Sequence, residues 1–267
     1  MRKVVRVCIP VLVLLFLYVP ILVLAFYSFT DATQIGSIRS FTFKNYVTLF
    51  TTGELRSMIV GTIVLALSSA LIATLLGTLG AIGAFYSKKR TSTLMSTVNQ
   101  IPVINADVVT GFSLCVLLVV VFGISKESYI PLLFGHVTLS APFVYLSVMP
   151  KLKQMDSSLY EAALDLGAKP STALMKVIIP QILSGMVSGF SLAITLSLDD
   201  YFIATYTKPA TFDTISTYVV NATKGSQTTI KTALWALSTL IFLVVIVIVA
   251  VMNVNSRRRV SRGEERA

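Results

Sequence analysis

The sequence predicts an all-α, polytopic membrane protein with six transmembrane helices. Hydrophobic residues make up 55% of the 267-residue chain and charged residues only 13%, and the mean hydropathy is +0.82. A soluble domain typically carries about 25% charged residues. Six apolar runs, each near the roughly 20 residues that a helix needs to cross a bilayer, are separated by polar segments. We expect a single transmembrane domain over residues 1–267.

The first two spans are predicted over residues 7–28 and 58–85. The run at 7–28 follows three basic residues, but it exceeds the core of about 7–15 residues typical of a secretory signal and lacks a small-residue cleavage site. We therefore expect it to remain as a spanning helix. A polar connection over residues 30–57 follows, and its length favours a role outside the membrane. The span at 58–85 is rich in Gly, Ala and Ser, which allow membrane helices to approach closely.

Four further apolar runs complete the six spans. A tight turn with Lys126 and Glu127 joins the third and fourth, a polar segment at 156–180 joins the fourth and fifth, and a polar loop at 208–231 precedes the sixth. The sequence contains no internal repeat and no low-complexity tract. These four spans cover residues 102–124, 129–149, 182–205 and 233–254.

The basic residues predict that both termini lie in the cytoplasm. Loops on the inner side of a membrane carry an excess of Lys and Arg. An N-terminus inside puts most of the 22 basic residues on that side, together with the segment at 156–180. We interpret the net charge of +10 as a topology signal and a lipid contact, not as a nucleic-acid surface. The inner residues are Arg2, Lys3, Arg6, Lys88, Lys89, Arg90, Lys151, Lys153, Lys169, Lys176, Arg257, Arg258, Arg259, Arg262 and Arg266.

Three carboxylates, those of Asp107, Asp199 and Asp200, lie inside the predicted spans, which contain no Lys or Arg. An Asp near the middle of a bilayer costs roughly 2.5–3.5 kcal/mol, so it needs a watery path, a partner or a function. We predict that Asp199 and Asp200 line a pathway for a cation, because an anion pathway would favour Arg or Lys. Asp107 is equally well interpreted as part of a helix cap with Asn105.

A polar stripe along the fifth span leads to Asp199. Four hydroxyl residues (Ser184, Ser188, Ser191 and Thr195) precede Asp199 at intervals of three or four positions, which is one helix face. An alternative interpretation is that these hydroxyls form hydrogen bonds between packed helices. Tyr201 and Tyr206 either line the same path, where an aromatic face attracts a cation, or lie in the outer aromatic belt. The predicted pathway residues are Asp199, Asp200, Asp107, Tyr201, Thr195 and Ser191.

The segment at 156–180 is predicted to form a short helix, a break and a second helix. Ser158 and Glu161 have the spacing of a capping box at a helix start. Gly167 stands where a left-handed cap ends a helix, and Pro170 cannot continue that helix. The enclosed helix of roughly eight residues is marginal alone, so we expect it to lie against another protein.

The same segment resembles the EAA motif of ABC importer permeases. Its residues are Glu161, Ala162 and Ala163, then Gly167 after three positions, and then Val177-Ile178-Ile179-Pro180 after nine more. Val177 and Ile179 stand where that motif usually has Ile and Leu. The resemblance implies the type I importer permease fold and a cytoplasmic coupling helix that docks on an ATPase subunit. The coupling residues are Glu161, Ala162, Ala163, Gly167 and Pro180.

Two further segments resemble the permeases of polyamine importers, closest to the second permease subunit of spermidine/putrescine importers. They are Ser197-Leu198-Asp199-Asp200-Tyr201 and Asn105-Ala106-Asp107-Val108-Val109. Asn105-Ala106 replaces a common Ser-Pro, which leaves the role of Asp107 open. The resemblance implies a homologous second permease, two ATPase subunits that hold ATP and magnesium, an extracytoplasmic polyamine-binding protein, and a bacterial inner membrane location.

Alternatives stay open at this point. An ABC permease for another organic cation, an iron complex or an oxyanion would carry the same EAA motif. An intramembrane aspartyl protease would also use acids on two spans, but neither Asp107 nor Asp199 follows the expected G-x-G element. The sequence has no phosphate loop and one histidine, His136, which is interpreted as an interior or a functional residue. We predict a non-catalytic subunit that binds no metal or cofactor itself.

Overall fold

The computed structural model of the chain describes residues 2–32, 40–156, 158–224, 233–243 and 246. Within these residues, regular structure is helical apart from one isolated antiparallel bridge between Thr30 and Phe41. The chain divides into two compact units, one of Met1–Arg56 with Val219–Ala267 and the other of Ser57–Tyr218. The predicted all-α class is confirmed.

The helices are numbered in chain order. Two π-helical turns lie between or after these helices: Val116–Val121 continues the helix Asp107–Cys115, and Leu174–Ile178 connects the helix Pro170–Ala173 to the helix Ile179–Asp199. The helices are α1 (Arg2–Ser28), α2 (Lys44–Thr51), α3 (Gly53–Tyr86), α4 (Lys89–Ile104), α5 (Asp107–Cys115), α6 (Ile130–Gln154), α7 (Ser158–Asp165), α8 (Pro170–Ala173), α9 (Ile179–Asp199), α10 (Phe202–Thr207), α11 (Ile215–Lys224) and α12 (Ala233–Leu243).

Four of the described helices are long and apolar enough to cross a membrane. They are Ile9–Ser28 within α1, α3, α6 and the continuous run Pro170–Asp199. Helices α4 and α5 make a fifth candidate if they form one broken span. Helix α12 begins the predicted sixth span, and residues 244–245 and 247–254 of that span lie outside the described residues. The chain is therefore a multi-pass membrane protein.

The structure differs from the predicted third span, which is not one straight helix. Residues 102–104 end α4, the backbone is extended at Asn105 and Ala106, and α5 begins at Asp107 after a bend of 103°. The Asn105 amide donates to Thr110 Oγ1 at 3.0 Å. Asn is common at helix ends because its side chain hydrogen-bonds to nearby backbone groups in non-helical conformations. The carboxylate of Asp107, in the first turn of α5, is favoured by the positive end of the helix dipole.

The fifth span also differs from the helix predicted at 182–205. One helical run starts earlier, at Pro170, and stops at Asp199. Asp200 and Tyr201 interrupt the helix, and the short helix α10 follows. The hydropathy pattern continues across this interruption, so the apolar run alone did not predict it. The break separates two neighbouring carboxylates that a continuous helix would have kept on one span.

Helix α6 is the centre of the second unit. Val144 on α6 is fully buried and lies between α3 and α9. A Cβ added to Gly77 of α3 would lie 2.7 Å from Val144 Cβ, and one added to Gly189 of α9 would lie 3.0 Å from Val144 Cα. Glycine at both positions therefore allows the helices to approach closely. This packing sets the relative positions of the elements that carry the site.

In the first unit, the buried side-chain amide of Asn45 joins α2 to the end of α1. Asn45 on α2 is 6% exposed, and its Nδ2 donates to the carbonyl oxygens of Ser28 and Thr30, both at 2.9 Å. These two contacts satisfy carbonyl groups where α1 has ended. The rings of Tyr27 on α1 and Trp235 on α12 are in edge contact, with centroids 5.8 Å apart. The connection after α1 is thus anchored to the end of that helix.

Candidate functional site

Helix α7 is the predicted coupling helix, and Asp156 caps its start. Asp156 Oδ1 accepts the backbone N–H of Ser158 at 3.0 Å and the Ser158 hydroxyl at 2.8 Å. The expectation that Ser158 itself caps the helix is wrong, because the carboxylate two residues earlier takes that role. The backbone hydrogen bond from Ser158 holds the pKa of Asp156 below its ordinary value. The carboxylate is therefore charged at neutral pH, as the positive end of a helix favours.

The end of α7 matches the prediction. Gly167 has a φ of +83°. Its N–H donates to the carbonyl of Leu164 at 2.8 Å, and the N–H of Ala168 donates to the carbonyl of Ala163 at 3.0 Å. This pair of bonds is a Schellman motif, which needs a left-handed residue at Gly167. Pro170 then opens α8 as its first residue. The predicted order of helix, break and helix is confirmed.

One side of α7 packs on its own chain and the rest is exposed. Tyr160 packs against the hydrophobic core of the second unit. Leu166, in contrast, is 89% exposed. Of the motif residues, Glu161, Ala162, Gly167 and Pro180 are exposed and Ala163 is half-buried.

The structure brings the three intramembrane acids together around the break between α9 and α10. Asp199 is the last residue of α9 and is exposed, whereas Asp200 is 8% exposed. Asp107 is the exposed first residue of α5. Helix α5 packs closely on α10, since a Cβ on Gly111 would lie 2.9 Å from Ile203 Cα. Asp107 and Asp199 both interact electrostatically with Asp200.

The carboxylate of Asp200 is bound to the backbone. Its Oδ1 accepts the N–H of Ile203 at 3.2 Å, and its Oδ2 accepts the N–H of Ala204 at 2.7 Å. These bonds cap α10, whose first N–H groups have no partner within the helix. Asp199 instead presents an exposed carboxylate. The two neighbouring acids therefore have different geometry, which the sequence did not distinguish.

The hydroxyl stripe on α9 is largely exposed in the part of the chain that the structure describes. The hydroxyls of Ser188, Ser191 and Thr195 donate to carbonyl oxygens four residues earlier in α9, at 2.9–3.0 Å. These side chains are exposed or half-buried. Among the described residues, the exposed part of the stripe is available to a pathway or a partner.

The buried face of α9 carries small residues that the sequence analysis missed. Gly185, Gly189, Ala193 and Ser197 are all buried at intervals of four. A Cβ on Gly185 would lie 2.9 Å from the carbonyl oxygen of Ser147 on α6. The regular spacing of four was a signal visible in the sequence, and it predicts this kind of helix contact.

His136 was singled out by the sequence, but its surroundings were not predicted. It is fully buried on α6, with Nδ1 2.8 Å from Ser197 Oγ and Nε2 3.7 Å from Asp200 Oδ2. These contacts join residues about sixty positions apart, so no local pattern indicates them. Tyr201 is half-buried at the break, and its ring lies 5.3 Å from that of Phe202.

Comparison with known proteins supports an importer permease. The family described as binding-protein-dependent transport system inner membrane component matches residues 73–262. The spermidine/putrescine transport system permease protein PotC of Haemophilus influenzae is 31% identical over 233 residues, which are 87% of this chain and 90% of that protein. The putrescine transport system permease protein PotI of Escherichia coli K12 is 30% identical over 206 residues, or 75% and 73%.

Solved structures share the fold. A bacterial alginate ABC transporter in complex with an alginate pentasaccharide-bound periplasmic protein matches with a TM-score of 0.71 at 18% identity, covering 96% of this chain and 94% of that chain. An amino acid ABC transporter with histidines matches with a TM-score of 0.56 at 17% identity, covering 80% and 96%. The predicted fold of an ABC importer permease is confirmed. The chain belongs to the family of inner membrane components of binding-protein-dependent transport systems.

Proposed function

We propose that this chain is the permease subunit of an ATP-driven importer for polyamines, of the spermidine and putrescine class. The observation that carries the proposal is the pair of exposed carboxylates, Asp107 and Asp199, beside a third, Asp200, at a break in an apolar span. The predicted spans contain no Lys or Arg to neutralise these acids. The names of the curated relatives point to the same cargo.

The cargo is a chain of protonated amines, which carboxylates attract. A single pair of opposite charges 4 Å apart is worth about 4 kcal/mol at an effective dielectric constant of 20. Several simultaneous pairs of that strength would trap the cargo, so transport needs weak contacts. Asp199 and Asp107 contact the cargo directly. The buried carboxylate of Asp200 attracts the cargo without contacting it, and the ring of Tyr201 offers a cation–π surface. The hydroxyls of Ser191 and Thr195 continue this polar path along α9.

The coupling helix receives the driving force. The N- and C-termini and α7 face the cytoplasm, as the distribution of Lys and Arg supports. Two ATPase subunits, which carry ATP and magnesium, dock on α7 and on the exposed motif residues that follow it. Closure of the ATPase pair moves α7 and opens the pathway outward, and hydrolysis returns it inward. The motif residues are Glu161, Ala162, Ala163, Gly167 and Pro180.

The remaining partners follow from the same arrangement. A homologous second permease supplies the other half of the pathway. The connections at 30–57 and 208–231, which include α2 and α11, meet an extracytoplasmic polyamine-binding protein. The assembly lies in the bacterial inner membrane. This chain catalyses no reaction itself, and it contacts lipid but no nucleic acid.

Uptake by the complete importer tests the cargo. The chain is co-expressed with its partner permease, ATPase and binding protein in cells that lack their own polyamine uptake. Labelled spermidine and putrescine should enter, and entry should stop when the ATPase is inactivated. Unlabelled polyamine should compete, whereas a quaternary ammonium compound, a ferric complex or an alginate oligosaccharide should not. Competition by one of these solutes, with no competition by polyamine, would assign another cargo and refute the proposal.

A further inference from the structure

A chain of buried polar side chains connects three helices behind the break. Ser69 Oγ on α3 donates to Ser197 Oγ on α9 at 3.2 Å, and Ser197 Oγ lies 2.8 Å from His136 Nδ1 on α6. These three residues are at most 1% exposed. His136 Nε2 faces Asp200 Oδ2 at 3.7 Å and has no hydrogen-bond partner among the described residues. The buried polar chain, Ser69–Ser197–His136–Asp200, thus ends on the carboxylate that caps α10.

The order of donors and acceptors along the buried polar chain favours one tautomer of His136. Ser69 has a single hydroxyl hydrogen, and when Ser69 donates it to Ser197, the hydrogen of Ser197 is left for His136 Nδ1. The proton of the neutral imidazole then lies on Nε2 and points at Asp200. In the reverse order, His136 Nδ1–H would donate to Ser197, Ser197 would donate to Ser69, and Ser69 would donate to the carbonyl of Ala66, also at 3.2 Å. His136 Nε2 would then direct a lone pair at the carboxylate of Asp200. The charge of Asp200 therefore favours the order that ends in Nε2–H.

The gap between Nε2 and Asp200 Oδ2 is slightly longer than a hydrogen bond. N–H···O bonds span about 2.7–3.2 Å, so a small movement of either side chain closes it. Asp200 Oδ2 already accepts the N–H of Ala204 at 2.7 Å, and Oδ1 accepts that of Ile203. A carboxylate oxygen has room for a second donor. His136 is thus the side chain placed to hold Asp200 on α10 from the protein interior.

We propose that His136 is a positioning residue for the pathway. Its Nε2–H holds Asp200 on the first N–H groups of α10 and thereby keeps the break between α9 and α10 in place. The break sets the direction in which the neighbouring Asp199 presents its carboxylate. His136 acts through Asp200 and does not contact the cargo. This inference rests on the proposed function for the role of Asp199, whereas the buried polar chain rests on geometry alone.

Two substitutions of His136 separate positioning from packing. Gln in place of His136 puts an amide donor near the position of Nε2, whereas Asn reaches only the position of Nδ1. In the complete importer, His136→Gln should keep cargo uptake within about threefold of the unchanged protein, and His136→Asn should lose about tenfold. Equal losses in both variants, or better uptake with Asn, would overturn the proposal. Co-purification with the partner subunits checks assembly in each case.

Ser140 provides the matched control. It lies one turn after His136 on α6, is fully buried, and has a hydroxyl without a hydrogen-bond partner among the described residues. Ser140→Ala should leave uptake unchanged. A loss in this variant as large as that in His136→Asn would mean that any buried polar change on α6 is harmful, and the specific role of His136 would be refuted.

A double-mutant cycle tests whether His136 acts through Asp200. His136→Leu removes the donor, and Asp200→Asn keeps a capping oxygen but removes the charge. If the proposal is right, the double variant loses no more than the worse single variant, because both changes break one contact. Losses that multiply would overturn it. The same cycle is also measured as the thermal midpoint of the purified complex without cargo. If the unchanged importer takes up no polyamine, the proposed function is refuted. The thermal cycle still tests whether His136 and Asp200 are coupled.

Discussion

Replacing Gly167 with alanine should weaken the coupling helix through the backbone alone. Gly167 has a φ of +83°, a conformation that costs a residue with a Cβ roughly 1–2 kcal/mol. A Cβ at this position would meet nothing within 4 Å, so steric overlap adds nothing to that cost. A loss of this size lowers the equilibrium ratio of correctly capped to uncapped α7 about 5- to 30-fold. Docking of the ATPase should weaken, by at most that factor.

A graded series makes this test specific. Asn adopts the left-handed conformation more readily than Ala, so Gly167→Asn should fall between the unchanged protein and Gly167→Ala. The measurements are co-purification of the ATPase with the permease and hydrolysis of ATP stimulated by the loaded binding protein. Gly83→Ala is the control, because Gly83 lies in α3 and its Cβ would meet its nearest neighbour only at 3.9 Å. Equal coupling in the Gly, Asn and Ala proteins at position 167 would refute the reasoning.

Three further predictions concern other parts of the structure. Asp199→Asn should lower polyamine uptake at least about tenfold while assembly persists, since the exposed carboxylate is lost; undiminished uptake would remove it from the pathway. Gly185→Ala should destabilise the complex by about 1–3 kcal/mol in thermal unfolding, because its Cβ would lie 2.9 Å from a backbone oxygen of α6. Gly53→Ala should leave the stability unchanged, because a Cβ at Gly53 meets nothing within 4 Å. Equal stability of the Gly185→Ala and Gly53→Ala variants would contradict the packing argument. Asn45→Ala should cost about 1–3 kcal/mol by leaving two carbonyl groups unpaired. Thr51→Ala serves as its control, because the exposed Thr51 hydroxyl donates to the carbonyl of Val47 within α2. A loss as large in this control would refute the role of the buried amide.

The coupling segment was predictable because its determinants are local. A glycine followed by a proline ends one helix and starts the next through their own backbone preferences, and Gly167 and Pro170 do so in the structure. The capping residue was assigned to Ser158 instead of Asp156, an error of two positions. Both are good capping residues, and spacing alone does not decide which side chain turns towards the free N–H groups.

The break after Asp199 was not predictable in the same way. Apolar residues continue on both sides of it, so hydropathy indicates one span at 182–205. The helix stops because Asp200 turns its carboxylate to the backbone of α10 and lies against a buried histidine from another helix. A pattern read along one helix does not contain that contact.

By itself the sequence determined the all-α class, most of the apolar spans, the helix–break–helix of the coupling segment and the presence of acids where no Lys or Arg balances them. These features depend on composition and on neighbours a few residues apart. Only the tertiary structure decided that Asp199 is exposed while Asp200 is held by backbone N–H groups beside His136. The reason is physical: burial and hydrogen-bond partners come from helices distant in the chain, and they give adjacent residues of the same type different surroundings.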